Sequence, residues 1–178
     1  MTDTLDFLDA TDPWTAAPAD AAAPAPAAHL LLTLAQWHAV RDTWPEQLPV
    51  GVTFPNDADI EDLQADLPRL AVVALAFPKW VDGRAYSQAR LLRARYRFRG
   101  QVRATGDVVV DMAPLLQRTG FDAAVLRAGE RVETARRALG FFPDGHYQGD
   151  VREPRPLFAR RGAGAGSSAP VRSIPEVA

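Results

Sequence analysis

The chain has 178 residues, and 47% of them are apolar, which is enough for one ordinary domain with a sizeable core and not comfortably enough for two. It contains no cysteine, which excludes disulfides, thiolate nucleophiles and cysteine-ligated iron–sulfur clusters or haem on this chain. Its formal net charge of −2 provides no overall attraction for nucleic acid, so we expect no nucleic-acid partner.

Two terminal segments have compositions typical of disorder. Residues 1–27 are rich in Ala, Pro and Asp and hold no basic residue, so they should not bury enough apolar surface to offset chain entropy. A short docking helix around Leu5 to Leu8 is the less favoured alternative. Residues 152–178 carry five arginines against two glutamates. We therefore predict an acidic disordered tail over 1–27, an α/β domain over 28–151 and a basic disordered tail over 152–178.

The first residues show no basic region followed by an apolar run, so a secretory signal is not expected. The longest apolar stretch, residues 70–77, is far too short to span a bilayer. We therefore expect a cytoplasmic protein without a membrane partner.

Between the tails, short apolar segments alternate with helical patterns. Five segments have the length and flanking residues of strands: 30–32, 50–54, 70–77, 102–105 and 123–126. Helical patterns follow them in turn, at 34–43, 55–67, 83–97, a segment ending at Arg118, and 130–139. This alternation predicts an α/β fold, a small and mostly parallel sheet of four or five strands with covering helices. The pattern does not separate an open sheet from a partial β/α barrel-like arrangement.

The helix that ends before Gly120 has two possible starting points. Asp107 and Asp111 are four residues apart, so on one continuous helix they would share a face and could form a carboxylate pair. Pro114 would then lie in the helix interior, where it removes a hydrogen bond. We favour Asp111 as the N-cap, with an extended or 3₁₀ entry over 107–110 and Gly120 at the C-terminal end.

Charged residues follow several predicted strands, at the edge where parallel α/β folds bind ligands. Lys79, the only lysine beside nineteen arginines, and Arg84 precede or begin a helix whose free N–H groups would favour an anion. The predicted anion- or ligand-binding residues are Lys79, Arg84, Tyr86, Ser87, Arg90, Gly106 and Asp107. The alternatives are that Arg84 pairs with Asp82 across a turn and that Asp107 caps a helix. The segment 127–130 is a third strand end of this kind.

Familiar catalytic signals do not occur in the sequence. It has no Gly-rich dinucleotide motif, no Walker loop, and no Gly-x-Ser-x-Gly elbow around Ser87. Its three histidines, His29, His38 and His146, are scattered without metal-ligand spacing. We assign no catalytic residue, expect no cofactor or metal, and leave open whether the protein is an enzyme.

One stretch resembles a known family. Residues 76–93 read Ala-Phe-Pro-Lys-Trp-Val-Asp-Gly-Arg-Ala-Tyr-Ser-Gln-Ala-Arg-Leu-Leu-Arg, and the likeness continues through Arg103-Ala-Thr-Gly-Asp107 and Gly120-Phe-Asp-Ala123. This pattern is similar to the bacterial domain of unknown function 934, a family described as an oxidoreductase of sulfite reduction. Thr119 stands where that family usually has cysteine, so a redox role for such a thiol does not apply here.

The resemblance implies a place in assimilatory sulfate and sulfite reduction, which supplies cysteine biosynthesis. Three hypotheses follow. The first is an accessory protein that binds a small anion or a partner such as sulfite reductase or another enzyme of that pathway. The second is an oxidoreductase of sulfite reduction that uses a diffusible cofactor. The third is a non-catalytic adaptor whose flexible tails recruit partners.

Overall fold

The strands of the protein form one parallel sheet. The structure, a computed structural model, describes residues 5–18, 20–141 and 150–152. Within that part of the chain the strands are β1 (Asp6–Phe7), β2 (Thr15–Ala16), β3 (Leu30–Thr33), β4 (Val50–Phe54), β5 (Val72–Phe77), β6 (Gln101–Gly106) and β7 (Ala123–Ala124). They lie in the order β1-β7-β6-β5-β4-β3-β2, and every neighbouring pair is parallel.

The predicted α/β class and mostly parallel sheet are confirmed, with seven strands among the described residues in place of four or five. The α-helices of the described residues are α1 (Leu34–Val40), α2 (Arg84–Ala94), α3 (Ala113–Thr119) and α4 (Val132–Leu139). Strands β3 to β7 lie side by side in the order in which they occur in the chain. Among these five strands the order therefore does not reverse part-way across the sheet, as it does in a doubly wound fold. None of the described helices has the length and apolar character that crossing a bilayer would need.

The predicted helix over 55–67 is wrong. Two short 3₁₀ helices, Ile60–Leu63 and Leu67–Arg69, occupy this part of the chain. The first begins late because the Asp59 side chain accepts a hydrogen bond from Glu61 N, and the second contains Pro68, which has no N–H to donate. The apolar residues Ile60, Leu63 and Leu67 of this segment are nevertheless buried in the core.

Helix α3 begins after a 3₁₀ turn, Val110–Met112, and Pro114 lies in its first turn as predicted. Asp111 is not its N-cap. It lies inside the 3₁₀ turn, because the chain enters the helix from an extended Val109 rather than at the carboxylate. Gly120 ends α3 with a left-handed φ of +104°, the conformation that favours glycine at a helix C-terminus.

The sheet curves into a half-barrel, which follows from its two edge strands. Phe7 ends β1 and Thr15 begins β2, eight residues later, yet these strands lie on opposite edges of the sheet. Seven strands spaced about 4.8 Å apart would separate the edges of a flat sheet by about 29 Å. Eight residues reach at most about 26–29 Å, and a turn at residues 10 and 11 shortens this segment. The edges must therefore approach each other.

The N-terminal segment is ordered where the sequence predicts disorder. We call residues 5–17 the strap, because they join the two edges of the sheet. Asp6 N donates to Asp122 O (2.8 Å) at one edge, and Ala17 N donates to Leu31 O (2.9 Å) at the other. Leu5 is only 2% exposed. In the structure, pairing with distant strands takes the place of a local preference for strand structure, which these residues lack.

A buried ion pair attaches the strap to the middle of the sheet. Val102 and Ala104 of β6 belong to the helix-covered core, so Arg103 between them points to the opposite face. Arg103 is 2% exposed and donates to both oxygens of Asp12 in the strap, at 2.6 and 3.2 Å. Its guanidinium also lies 6.0 Å from the ring centre of Trp14. The strap therefore covers the face of the sheet that the helices leave open.

A second buried arginine joins α2 to the strands beside it. Arg93 donates to Gly120 O (3.0 Å), Phe98 O (2.6 Å) and the carboxylate of Asp122. The same carboxylate accepts from Arg152 Nη2 at 2.8 Å. Desolvation lowers the pKa of Arg93, and the charge of Asp122 opposes that effect. Apart from residue 152, the predicted basic tail lies outside the described residues.

Candidate functional site

The loop between β5 and α2, residues 78–83, lies at the carboxyl edge of the sheet and carries the first predicted site residues. Gly106, the last residue of β6, packs against the end of β5 with a φ of +94°. A Cβ there would lie 2.4 Å from Phe77 O, so only glycine fits. Asp107 N then donates to Phe77 O at 2.8 Å. This close contact places the residue after β6 directly under the loop.

Asp107 ties three loops together. Its Oδ2 accepts from Trp80 N in the β5–α2 loop at 2.9 Å, and its Oδ1 accepts from Arg127 Nη1 at 3.0 Å. Arg127 follows β7 and also contacts Glu130 at 3.2 Å. The Trp80 amide and, second, the Arg127 guanidinium hold the pKa of Asp107 below its usual range. Asp107 therefore positions loops, and it is neither a helix cap nor one of a carboxylate pair.

Arg84 binds a carboxylate of its own chain. Its Nε and Nη2 donate to Asp82 at 3.0 and 2.7 Å, and its backbone N donates to the same carboxylate at 3.2 Å. Arg84, with a smaller contribution from the nearby Asn56 amide, holds the pKa of Asp82 well below its usual range. Asp82 thus occupies the place at the start of α2 where the sequence predicts an external anion.

The remaining predicted residues lie on different parts of α2. Tyr86 is half-buried with its ring 5.1 Å from that of Phe77, and burial raises its pKa to about 12. Arg90 lies further along and its Nε is 3.1 Å from Asp150, away from the loop. Ser87 is exposed. The structure therefore groups Gly106, Asp107 and Tyr86 around Phe77 and places Arg90 elsewhere.

The tip of the loop is exposed. Trp80 is 54% and Val81 66% exposed, and Lys79 beside them is exposed too. Lys79 forms no ion pair with any described residue, in contrast to Arg84, Arg90 and Arg127. Its carbonyl accepts from Asp82 N at 2.9 Å, which closes the turn. We call Lys79, Trp80 and Val81 the loop tip; it combines two apolar side chains with one cation on a backbone held by Asp107.

Sequence reasoning missed two cavities. One, of about 530 Å³, is an open, apolar cavity at the carboxyl ends of β3 to β5, lined by Thr33, Thr53, Ala76 and His38 among others. The other, of about 520 Å³, lies at the amino edge of the sheet and is lined by three arginines. A sequence signal for the second existed, since arginine alternates with aromatic residues over 95–99. The described residues hold no group of three His, Asp or Glu side chains suited to a metal ion.

Comparison with protein families identifies the class of the chain. A model of a bacterial protein of unknown function, DUF934, matches residues 51–158, which is more than half of the sequence. The chain belongs to this family. The DUF934 match begins within β4 and includes the loop tip, Asp107 and Arg127, whereas the strap and β3 precede it. A comparison with curated proteins gave no match.

The tie made by Asp107 should respond to acid. The pKa of Asp107 is lowered in the folded protein. The hydrogen bond that its carboxylate accepts from Trp80 N is therefore fully formed above the usual pKa of 3.8 and is lost as the pH falls through the lowered pKa. The backbone amide resonance of Trp80 should therefore titrate with a midpoint below 3.8. In Asp107→Asn this titration should disappear. A midpoint at or above 3.8 in the unmodified protein would contradict the arrangement.

Proposed function

We propose that this DUF934 protein is an accessory protein of assimilatory sulfite reduction that docks onto an enzyme of that pathway through its loop tip. Its place in the pathway rests on the family resemblance. The docking surface rests on one observation, that Trp80 and Val81 are more than half exposed on a loop whose backbone Asp107 holds in place.

The loop tip has the composition of a protein-binding surface. Tryptophan is enriched among the residues that contribute most to protein–protein affinity, because a rigid aromatic ring buries a large area at low entropic cost. A backbone already held in one conformation loses little entropy when a partner binds. Lys79, which has no acidic partner among the described residues, would be matched by a carboxylate on the docked protein.

Protein docking is supported better than binding of a small anion at this edge of the sheet. Arg84, Arg90 and Arg127 each contact a carboxylate of the chain itself, which leaves fewer positive charges for an external ligand. A docked enzyme needs only the two apolar side chains of the loop tip and Lys79. The surface also belongs to the folded domain, so this proposal differs from an adaptor that recruits partners through flexible tails.

Truncating the tryptophan tests the proposal. Calorimetry with the sulfite reductase of the same bacterium should show binding, and Trp80→Ala should weaken it by about 30-fold, as expected for loss of a central aromatic contact. Leu91→Ala, which removes another partly exposed apolar side chain on α2, should leave the affinity within about twofold.

Two results would overturn the proposal. One is the absence of binding between the unmodified protein and any enzyme of the pathway. The other is equal affinity of the unmodified protein and Trp80→Ala. Near-ultraviolet circular dichroism of each variant confirms that the fold is retained.

A further inference from the structure

The cavity at the amino edge of the sheet lies far from the loop tip in the topology, between the 3₁₀ helices and the connection from α2 to β6. Its volume is about 520 Å³, within the range of small-molecule sites. Leu67 and Leu70 contribute apolar lining. The lining also includes Arg95, Tyr96, Arg97 and Arg99. The cavity is therefore lined by both cationic and apolar residues.

Two of these arginines have no acidic partner in the described part of the chain. Arg95 contacts Glu61 at 3.6 Å and its guanidinium lies 5.4 Å from the ring centre of Tyr96. Arg97 and Arg99 form no ion pair and no side-chain hydrogen bond there. They differ in this from Arg84 and Arg127 at the carboxyl edge, whose charges are offset by Asp82 and Asp107.

Arg97 is also held in an unfavourable backbone conformation. Its φ is +55°, in the left-handed region that favours glycine and that long side chains rarely adopt. A glycine at this position would relieve the strain. The presence of an arginine instead indicates a use for its side chain, because such strain is concentrated at functional positions.

The backbone around Arg97 is firmly held. Arg93 donates to Phe98 O at 2.6 Å and to Gly100 O at 2.8 Å, from inside the protein. Gly100 fits closely against the residue before β5, since a Cβ there would lie 2.6 Å from Ala71 O. The guanidinium groups of Arg97 and Arg99 therefore project from a fixed frame, which favours recognition of a ligand of defined shape.

We propose that this cavity binds a small organic phosphate. The phosphate group would lie between Arg97 and Arg99, because guanidinium groups match phosphate oxygens with paired hydrogen bonds. The apolar part of the ligand would pack against Leu67, Leu70 and the ring of Tyr96. This site is independent of the proposed docking at the loop tip.

Phenyl phosphate and inorganic phosphate are suitable probes, measured by calorimetry at low salt. Phenyl phosphate should bind more tightly than inorganic phosphate, because only it contacts the apolar lining. Arg97→Gly and Arg99→Gln should each weaken its binding by about tenfold, the loss of one charge-assisted hydrogen bond. Arg136→Gln, an exposed arginine of α4 without an ion pair among the described residues, is the matched control and should change nothing.

Thermal unfolding separates a ligand role from a structural one. Arg97→Gly should unfold at an unchanged or higher temperature, because glycine adopts the left-handed φ without strain. The proposal is overturned if phenyl phosphate does not bind at millimolar concentration, or if Arg97→Gly and Arg99→Gln bind it as the unmodified protein does. Tighter binding of a single-stranded oligonucleotide than of phenyl phosphate, lost in the same variants, would also overturn it.

Discussion

Replacing Asp122 by alanine should lower the free energy of unfolding by about 3–5 kcal/mol, the cost of breaking a buried ion pair by removing one partner. Arg93 and Arg152 would both lose their carboxylate, and Val102 N would lose the acceptor at 2.8 Å. The Arg93 guanidinium cannot turn to water, since its side chain is only 3% exposed. Urea unfolding followed by circular dichroism measures the change.

Glu133→Ala is the control for that experiment. Glu133 pairs with Arg131 at 3.9 Å on the surface, so its loss should cost less than about 1 kcal/mol. If Asp122→Ala were destabilised by no more than this control, the carboxylate would not hold α2 against the strands as described.

Replacing Asp12 by alanine should release the strap. Arg103 would be left without its carboxylate on the face of the sheet that the strap covers. The free energy of unfolding should fall by an amount near the lower end of about 3–5 kcal/mol, because detachment of the strap lets water reach the guanidinium. Hydrogen exchange should become fast at the amides of Asp6, Leu8 and Ala17, which are bonded to β7 and β3 in the intact protein.

A neighbouring acid provides the control for the strap. Asp9 is in the same segment, but among the described residues its carboxylate accepts hydrogen bonds only from Thr11, within its own turn. Asp9→Ala should therefore leave exchange at Asp6 and Ala17 unchanged. Fast exchange at these amides in the unmodified protein would show that the strap is not bound, and would favour the disordered tail that composition predicts.

The parts of the fold that local pattern determines could be predicted from the sequence. The unbroken apolar run over 70–77 predicted a strand, and the structure has β5 there, in the middle of the sheet. Gly120 and Pro114 predicted how α3 ends and begins, because both act through their own backbone geometry. These signals depend on neighbouring residues alone.

The strap could not be predicted, because its order depends on distant residues. Its three aspartates and its one proline have little preference for strands, and the buried partner of the Asp12 carboxylate is Arg103, 91 residues further along the chain. The ion pairs at the candidate site could not be predicted for the same reason. The sequence showed which cations follow each strand, but Asp107 and Arg127 meet only after β6 and β7 have come together.

The position of the strap has a consequence for synthesis of the protein. Asp6 pairs with Ala123, 117 residues later in the chain (123 − 6 = 117), so the strap leaves the ribosome well before its partner strand β7 has been synthesised. Until β7 is made, the strap can bind only one edge of the sheet, and Arg103 has no fixed carboxylate. Such long-range pairing slows folding. The half-barrel is therefore completed at both edges only after β7 has been synthesised.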